Sequence, residues 1–255
     1  MTTSCPFCDG PIKSHWREYS KCESCSLIYR TPMPTPEELV SIYNSSWESP
    51  VEHLHETGSV TSTQADGYIQ SVMEALNIKS LEGLTILDFG AGKGEMLQAF
   101  RDHGADAIGV EPFGHEHLVQ NGFEVYETIG DVPADRKVDG IFSSNVVEHL
   151  FDPPATLQEL HDLLKPDGWL FVTTPNGAGA NAMVRGGQWR EALKPVHLVF
   201  FNHSSMNHYL RDVGFSDVRR SRQHINYGHG ITRDLTHRFL NLAGLEGELR
   251  YVAVK

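Results

Sequence analysis

Residues 86–97 read Ile-Leu-Asp-Phe-Gly-Ala-Gly-Lys-Gly-Glu-Met-Leu. An apolar run ends in Asp88, enters a turn carrying Gly90, Gly92 and Gly94, and passes straight into a helix-forming stretch. A second apolar run, Ile108-Gly109-Val110, ends in Glu111 and is closed by Pro112. Few architectures accommodate this pairing. Glycines let a backbone approach a bound ligand closely, and an acid ending the next strand is placed to read ribose hydroxyls. The layout predicts an open α/β sheet with a nucleoside-bearing ligand at the carboxyl ends of its strands.

The glycine spacing narrows the ligand. A dinucleotide fingerprint is GxGxxG, with the pyrophosphate resting on the helix N-terminus. Here the position of the third glycine is Glu95. A carboxylate in the first helical turn repels a pyrophosphate but not a ligand carrying an ammonium and a sulfonium. S-adenosylmethionine (SAM) is such a ligand, with ribose and adenine but no phosphate. Glu95 therefore argues against the rival from another enzyme class, an NAD-dependent oxidoreductase.

All four cysteines fall in the first 25 residues, as Cys5-x2-Cys8, thirteen residues, Cys22-x2-Cys25. Each pair can turn two thiolates toward one ion, and two pairs complete a tetrahedral sulfur site suited to structural zinc, with rubredoxin-like iron as the alternative. A closed four-thiolate site leaves no open position for catalysis, so its expected work is to fold a segment too short for its own core. His15 and Trp16, between the two pairs, are expected to pack on this module. Strand 27–29 leaves it and ends at Pro32, Pro34 and Pro36.

The chain has 255 residues, 40% hydrophobic and 21% charged, with a net charge of −12. That length suits one sizeable α/β domain plus a small module. The acidic balance disfavours a nucleic-acid partner, because phosphate contacts need clustered Lys and Arg. The first residues lack the basic and apolar regions of a signal peptide, and no apolar run is long enough to span a membrane. A cytoplasmic, reducing location is the expectation, with disulfides unlikely to form there.

Periodicity organises the rest. Thr35 caps a short helix opened by Pro36, and an amphipathic helix covers 66–77. From Leu81, strands at 84–89, 107–111, 123–126, 138–143 and 169–173 alternate with helices. A helix at 205–213, a strand to about 220 and a last strand at 248–254 complete a seven-stranded, mostly parallel Rossmann-like sheet, its final two strands antiparallel. The expected division is a zinc-ribbon-like module at 1–32, a helical cap at 33–80 and the main domain at 81–255 with a helical insertion at about 226–245.

Together these features resemble the class I SAM-dependent methyltransferases, whose first motif is an acid followed by GxGxG. Residues 81–220 carry the resemblance, including Asp139–Leu150, Leu163–Leu170, Pro175-Asn176 and Pro195–Asn202. The last of these looks like the substrate-side motif of the small-molecule branch. An N-terminal zinc module also occurs among the deoxysugar C-methyltransferases. The resemblance implies methyl transfer from SAM to a small-molecule acceptor: a sugar, nucleotide-sugar or other biosynthetic intermediate. It places Asp88, with the Gly90-Ala91-Gly92 loop, near the SAM amino group and methionine chain. Glu111, followed by Pro112, goes to the ribose hydroxyls, Thr128 and Ile129 beside the adenine, and Asn145 to the methionyl part. Tyr43 and Tyr68 either close over SAM or pack in the core.

Methyl transfer is an in-line displacement, and a His base suits an acceptor that must lose a proton. His197 ranks first, since it follows the 175–195 loop expected to roof the pocket; His149 ranks second and could equally cap the next helix. Gly186–Trp189 and the 44–63 segment are expected lids. Trp189 with Phe200 and Phe201 offers an aromatic wall, although adjacent residues of an extended chain face opposite ways. Glu148-His149 also resembles the stretch of ubiquinone-pathway O-methyltransferases that supplies acids and a His to a divalent metal. The earlier acidic position is Asn145 here, which argues against Mg²⁺. Two other readings stay open: an inactive methyltransferase-fold adaptor, and a protein or nucleic-acid methyltransferase.

Overall fold

A computed structural model describes residues 4–46, 62–221 and 231–255. The main sheet is built from β4 (Thr85–Phe89), β5 (Asp106–Val110), β6 (Glu124–Tyr126), β7 (Val138–Ser144), β8 (Leu164–Pro175), β10 (Asp217–Arg220) and β11 (Glu248–Val254). Their order is β10-β11-β8-β7-β4-β5-β6. β4 to β8 pair in parallel, and β11 runs antiparallel to both β8 and β10. The expected seven-stranded sheet is present.

Strand alternation sends successive side chains to opposite faces. Ile86 joins one core and Leu87 the other. On the Ile86 face lie α2 (Ser62–Leu76) and α3 (Glu95–Asp102), contributing Ile69, Val72, Leu97 and Phe100. Phe142 and Phe171 stack there with centroids 5.7 Å apart and planes 6° from parallel, a contact worth about 0.5–1.5 kcal/mol beyond its burial. On the Leu87 face lie α5 (Pro153–Leu163) and α7 (His203–Asp212), contributing Leu157, Leu160, Met206 and Leu210. Asp152 caps α5 by accepting from the Ala155 amide at 3.1 Å, typically worth about 1 kcal/mol. The capping task left open for His149 thus belongs to Asp152.

The cysteine segment makes a second sheet, in the order β1 (Ile12–Trp16), β2 (Tyr19–Cys22), β3 (Ile28–Arg30), β9 (Val199–Phe200). The fourth strand comes from the far side of the chain: Ile28 pairs with Phe200 and Tyr29 with Val199. Cys5, Cys22 and Cys25 are buried in the same apolar cluster as Leu198, Phe201 and Tyr209. A sheet and a core therefore cross the boundary expected near residue 32. Phe200 and Phe201 are both fully buried, on opposite sides, with Phe200 in the cluster of Tyr19, Ile28 and Trp189.

Thr35 and Glu38 exchange hydrogen bonds with each other's backbone at the start of α1 (Pro36–Ser46), a capping box. The expected insertion before β11 contains α8 (Ile231–Ala243). No helix among the described residues is long and apolar enough to cross a membrane.

Candidate active site

The sheet order reverses at β4: β5 and β6 lie to one side, and β7 and β8 to the other. Such a switch point splays the following loops and opens a crevice at the carboxyl ends of the strands. A cavity of about 1070 Å³ occupies that place. It holds nearly every residue singled out from the sequence. Asp88, Gly90, Ala91 and Gly92 follow β4, Glu111 and Pro112 follow β5, and Thr128 and Ile129 follow β6. Asn145, His149, Tyr68 and His197 line it too. Tyr43 belongs to α1, and its side chain lies outside the described residues, as does most of the expected 44–63 lid.

The glycines have separate reasons to be glycine. Gly90 has φ +83°, and a Cβ there would sit 2.2 Å from a methyl of Val146. Gly92 has φ +55° and nothing within 4 Å of where a Cβ would stand. Its surroundings leave room for a ligand against the backbone. Glu111 is held by three amides: Gly92 N–H donates to one oxygen at 2.8 Å, and Phe113 and Gly114 donate to the other at 2.9 and 3.2 Å. Burial raises its pKa, while those three donors pull the other way. Asp88 is 3% exposed. Burial, and then the charges of Glu111 and Glu95, push its carboxyl up to about 8. Its charged form is therefore disfavoured.

Thr128 is engaged locally, donating from its hydroxyl to Asp131 at 2.7 Å in a capping box. Asn145 stands at φ 56°, a left-handed conformation that asparagine tolerates better than most side chains.

The opposite wall carries polar groups of different origin. Glu148 is 1% exposed and accepts from the Thr174 hydroxyl at 2.9 Å. Burial pushes its pKa up to about 8. His149 Nδ1 lies 3.0 Å from the Val196 carbonyl. A carbonyl can only accept, so the proton sits on Nδ1 and the lone pair on Nε2. His197 packs edge-on against His149, with ring centroids 4.8 Å apart. It is 3% exposed, and its buried Nδ1 has no hydrogen-bond partner. Burial, His149, Lys194 and Arg30 drive its pKa down to about 2. In this setting the charged form of His197 is disfavoured.

The expected roof is tied to the cysteine sheet. Trp189 lines the cavity and stacks on Trp16, with centroids 6.3 Å apart and planes 20° from parallel. Trp16 thus packs beyond its own module, whereas His15 bonds within it to Ser20. Arg17 donates to the Gly187 carbonyl at 3.2 Å, and Tyr19 donates to the His197 carbonyl at 2.8 Å. The four cysteines are free, and their sulfurs all lie within 4.8 Å of one another. Cys8–Cys22 and Cys5–Cys25 are 3.5 and 3.9 Å apart. A tetrahedral zinc with Zn–S bonds of about 2.3 Å sets its sulfurs about 3.8 Å apart, so these donors fit that ion.

Residues 62–220, well over half the chain, match the family described as a methyltransferase domain. The chain belongs to the SAM-dependent methyltransferases. Among curated relatives of this methyltransferase is the ubiquinone biosynthesis O-methyltransferase of Leptothrix cholodnii. It is 26% identical over 163 residues, 57% of this chain and 69% of that one. The Cereibacter sphaeroides enzyme of the same name is 32% identical over 156 residues, 54% of this chain and 63% of that one. Other such relatives are matched over only about a third to a half of their length, as in the cattle and Ruegeria pomeroyi enzymes. Among solved structures, the 1,6-didemethyltoxoflavin-N1-methyltransferase of Burkholderia thailandensis aligns over 96% of this methyltransferase and 98% of itself. Its TM-score is 0.57 at 16% identity, a likeness of fold.

Glu148, Glu191 and Lys194 also line the pocket, beyond the residues expected from the sequence. The Glu148 signal was available: an acid one residue before a His, just past a β-strand end. Glu191 and Lys194 gave none, because charged residues in a loop ordinarily face solvent.

Proposed function

We propose that this methyltransferase transfers the SAM methyl to a hydroxyl of a small-molecule acceptor, a sugar, nucleotide-sugar or other biosynthetic intermediate. One observation carries the reading. The cofactor rim (Asp88, Gly92, Glu111) and the polar cluster (Glu148, His149, His197) face a single cavity. In this reading Asp88 pairs with the SAM ammonium, Glu111 accepts from the ribose diol, and Gly92 gives the backbone surface beneath them. Ile129 flanks the adenine, while Asn145 and Tyr68 bound the methionyl side. The names of the curated relatives favour oxygen as the acceptor atom.

The sulfonium methyl is already activated, so the protein's task is alignment, exclusion of water and disposal of the acceptor's proton. Trp189 and Val196 wall the acceptor space. The proton passes into the Glu148–His149–His197 cluster. In this reading His149 takes the proton at Nε2, the buried Glu148 carboxyl is oriented by the Thr174 hydroxyl, and His197 packs edge-on against the His149 ring.

We also propose that the four cysteines hold one zinc ion. It supplies no chemistry to the reaction; it fastens β1–β3, and through them β9, His197 and Trp189.

Glu148→Gln and His149→Ala variants test this arrangement. Each is expected to lower methylation of a responsive hydroxyl acceptor by about 10²–10⁴-fold, the usual size of acid–base assistance. Affinity for S-adenosylhomocysteine (SAH) should change by less than about threefold, a bound of roughly 0.6 kcal/mol. The assay is SAH release, with SAH affinity measured separately by calorimetry. Full turnover in both variants would remove the cluster from the mechanism.

A further inference from the structure

The roof of the cavity carries a carboxylate that stands between two nitrogens. Glu191 Oε2 lies 2.7 Å from the Lys194 ammonium and 3.9 Å from His197 Nδ1. Arg190 approaches the other oxygen at 3.8 Å. Glu191, Lys194 and His197 all line the cavity. His197 Nδ1 is buried and has no hydrogen-bond partner among the described residues. A buried polar atom left without a partner is costly, and native structures rarely leave one so.

The backbone keeps the two side chains opposed. The Leu193 amide donates to the Trp189 carbonyl at 3.1 Å, the Lys194 amide to the Glu191 carbonyl at 3.3 Å, and the His197 amide to the Lys194 carbonyl at 3.2 Å. These turns fold 189–197 back on itself. One end is stacked on Trp16 and the other is held by the Tyr19 hydroxyl. The His197 ring is packed from two sides, by His149 with centroids 4.8 Å apart and by Phe200 at 5.8 Å. The mobile partner is therefore the Glu191 carboxylate, one fifth exposed, and not the imidazole.

We propose that Glu191 is a positioning residue for His197, accepting the hydrogen bond of its Nδ1 proton. A side-chain shift of about an ångström turns the 3.9 Å approach into a normal N–H···O bond. A carboxylate oxygen has two lone pairs, so Glu191 keeps Lys194 while it takes His197. An Nδ1 donor leaves the lone pair of a neutral imidazole on Nε2. The Val196 carbonyl does the same for His149. The cavity then has two adjacent imidazoles of fixed tautomer, His149 to take the proton and His197 to accept a hydrogen bond from the small molecule. That division of labour rests on the methyl-transfer reading; the Glu191–His197 bond does not.

The test is nitrogen NMR of the zinc-loaded full chain with SAH bound and its histidine rings labelled with ¹⁵N. The His197 signals are assigned by their loss in His197→Gln. The expected spectrum has a protonated Nδ1 and an unprotonated Nε2. Glu191→Met, which removes the oxygen but keeps the length, should lose this single tautomer, and Glu191→Gln, which keeps an oxygen acceptor, should retain it. SAH calorimetry on the same samples reports that the cofactor site is intact. With a responsive acceptor, Glu191→Met should lower kcat by about tenfold with KM changed by less than about threefold, and Glu191→Gln should recover most of the loss. A proton on Nε2 in the native protein, or a native His197 spectrum in Glu191→Met, would overturn the bond. Full turnover by Glu191→Met after loss of the tautomer would overturn the positioning role. A fixed tautomer in a native protein that methylates no hydroxyl acceptor would count against the methyl-transfer reading alone.

Discussion

Replacing Asp88 with Asn is expected to make the ligand-free methyltransferase more stable and to weaken SAM and SAH binding by about 10- to 100-fold, the size of one lost charge-assisted hydrogen bond. The two effects share a cause. Asp88 is 3% exposed and carries a carboxyl pushed up to about 8 by burial and by Glu111 and Glu95. In the unfolded chain the same group titrates near 3.9. Between about pH 3.9 and 8 the folded state holds a proton that the unfolded state has lost, so stability falls as pH rises through that window. Above about pH 8 the loss is complete. Asparagine carries no charge, so Asp88→Asn should flatten this slope and raise the melting temperature most at pH 8 and above.

Cofactor binding has the opposite sign. A ligand ammonium requires the ionised carboxylate, which must give up its proton below about pH 8. SAH affinity of the native protein should therefore fall by about tenfold per pH unit below 8, with proton release on binding. The variant should show a flat profile over that range. Calorimetry in buffers of differing ionisation enthalpy reads both effects. Unchanged affinity together with an unchanged melting temperature would remove Asp88 from the cofactor site.

The second large effect concerns the cysteines. Removing the zinc, by chelation or by Cys22→Ser, is expected to abolish acceptor turnover while leaving SAH affinity within about threefold, or roughly 0.6 kcal/mol. Structural zinc stabilises small modules by about 10–16 kcal/mol in isolated peptides, far more than three short strands supply. Here the released strands include the partner of β9, the Tyr19 hydroxyl that holds the His197 carbonyl, and the Trp16 ring stacked on Trp189. The acceptor wall should loosen together with them. The cofactor rim rises from β4, β5 and β7, none of which pairs with the cysteine sheet. Hydrogen exchange at 196–202 and tryptophan fluorescence should both change. Full turnover by metal-free protein would show that the module plays no part in the acceptor site.

The sequence made some of this legible for identifiable reasons. β4 and β5 were readable because each is a short apolar run closed by an acid or a glycine turn, and Gly90 was readable because its left-handed backbone leaves no room for a Cβ beside Val146. The Thr35 cap and the antiparallel β10–β11 pair followed from local chemistry and spacing. β1 and β2 stayed hidden. Ile12–Trp16 buries little and shows no alternation, so its order comes from pairing and from the cysteines. β9 is two residues long, and its partner lies about 170 residues earlier in the chain. No local pattern records such a pairing. The same distance concealed the meeting of His197 with Glu148 and His149. His197 looked like a base because imidazole usually titrates near neutrality, and only its burial beside His149 and Lys194 shows why it is a weak one.

The most direct measurement is a crystal structure of the full chain with SAH bound. The ribose diol should lie on Glu111, the ammonium against Asp88, and the sulfur turned toward Glu148, His149 and His197, with the acceptor space between. SAH bound elsewhere, or bound with its sulfur turned away from that cluster, would contradict it.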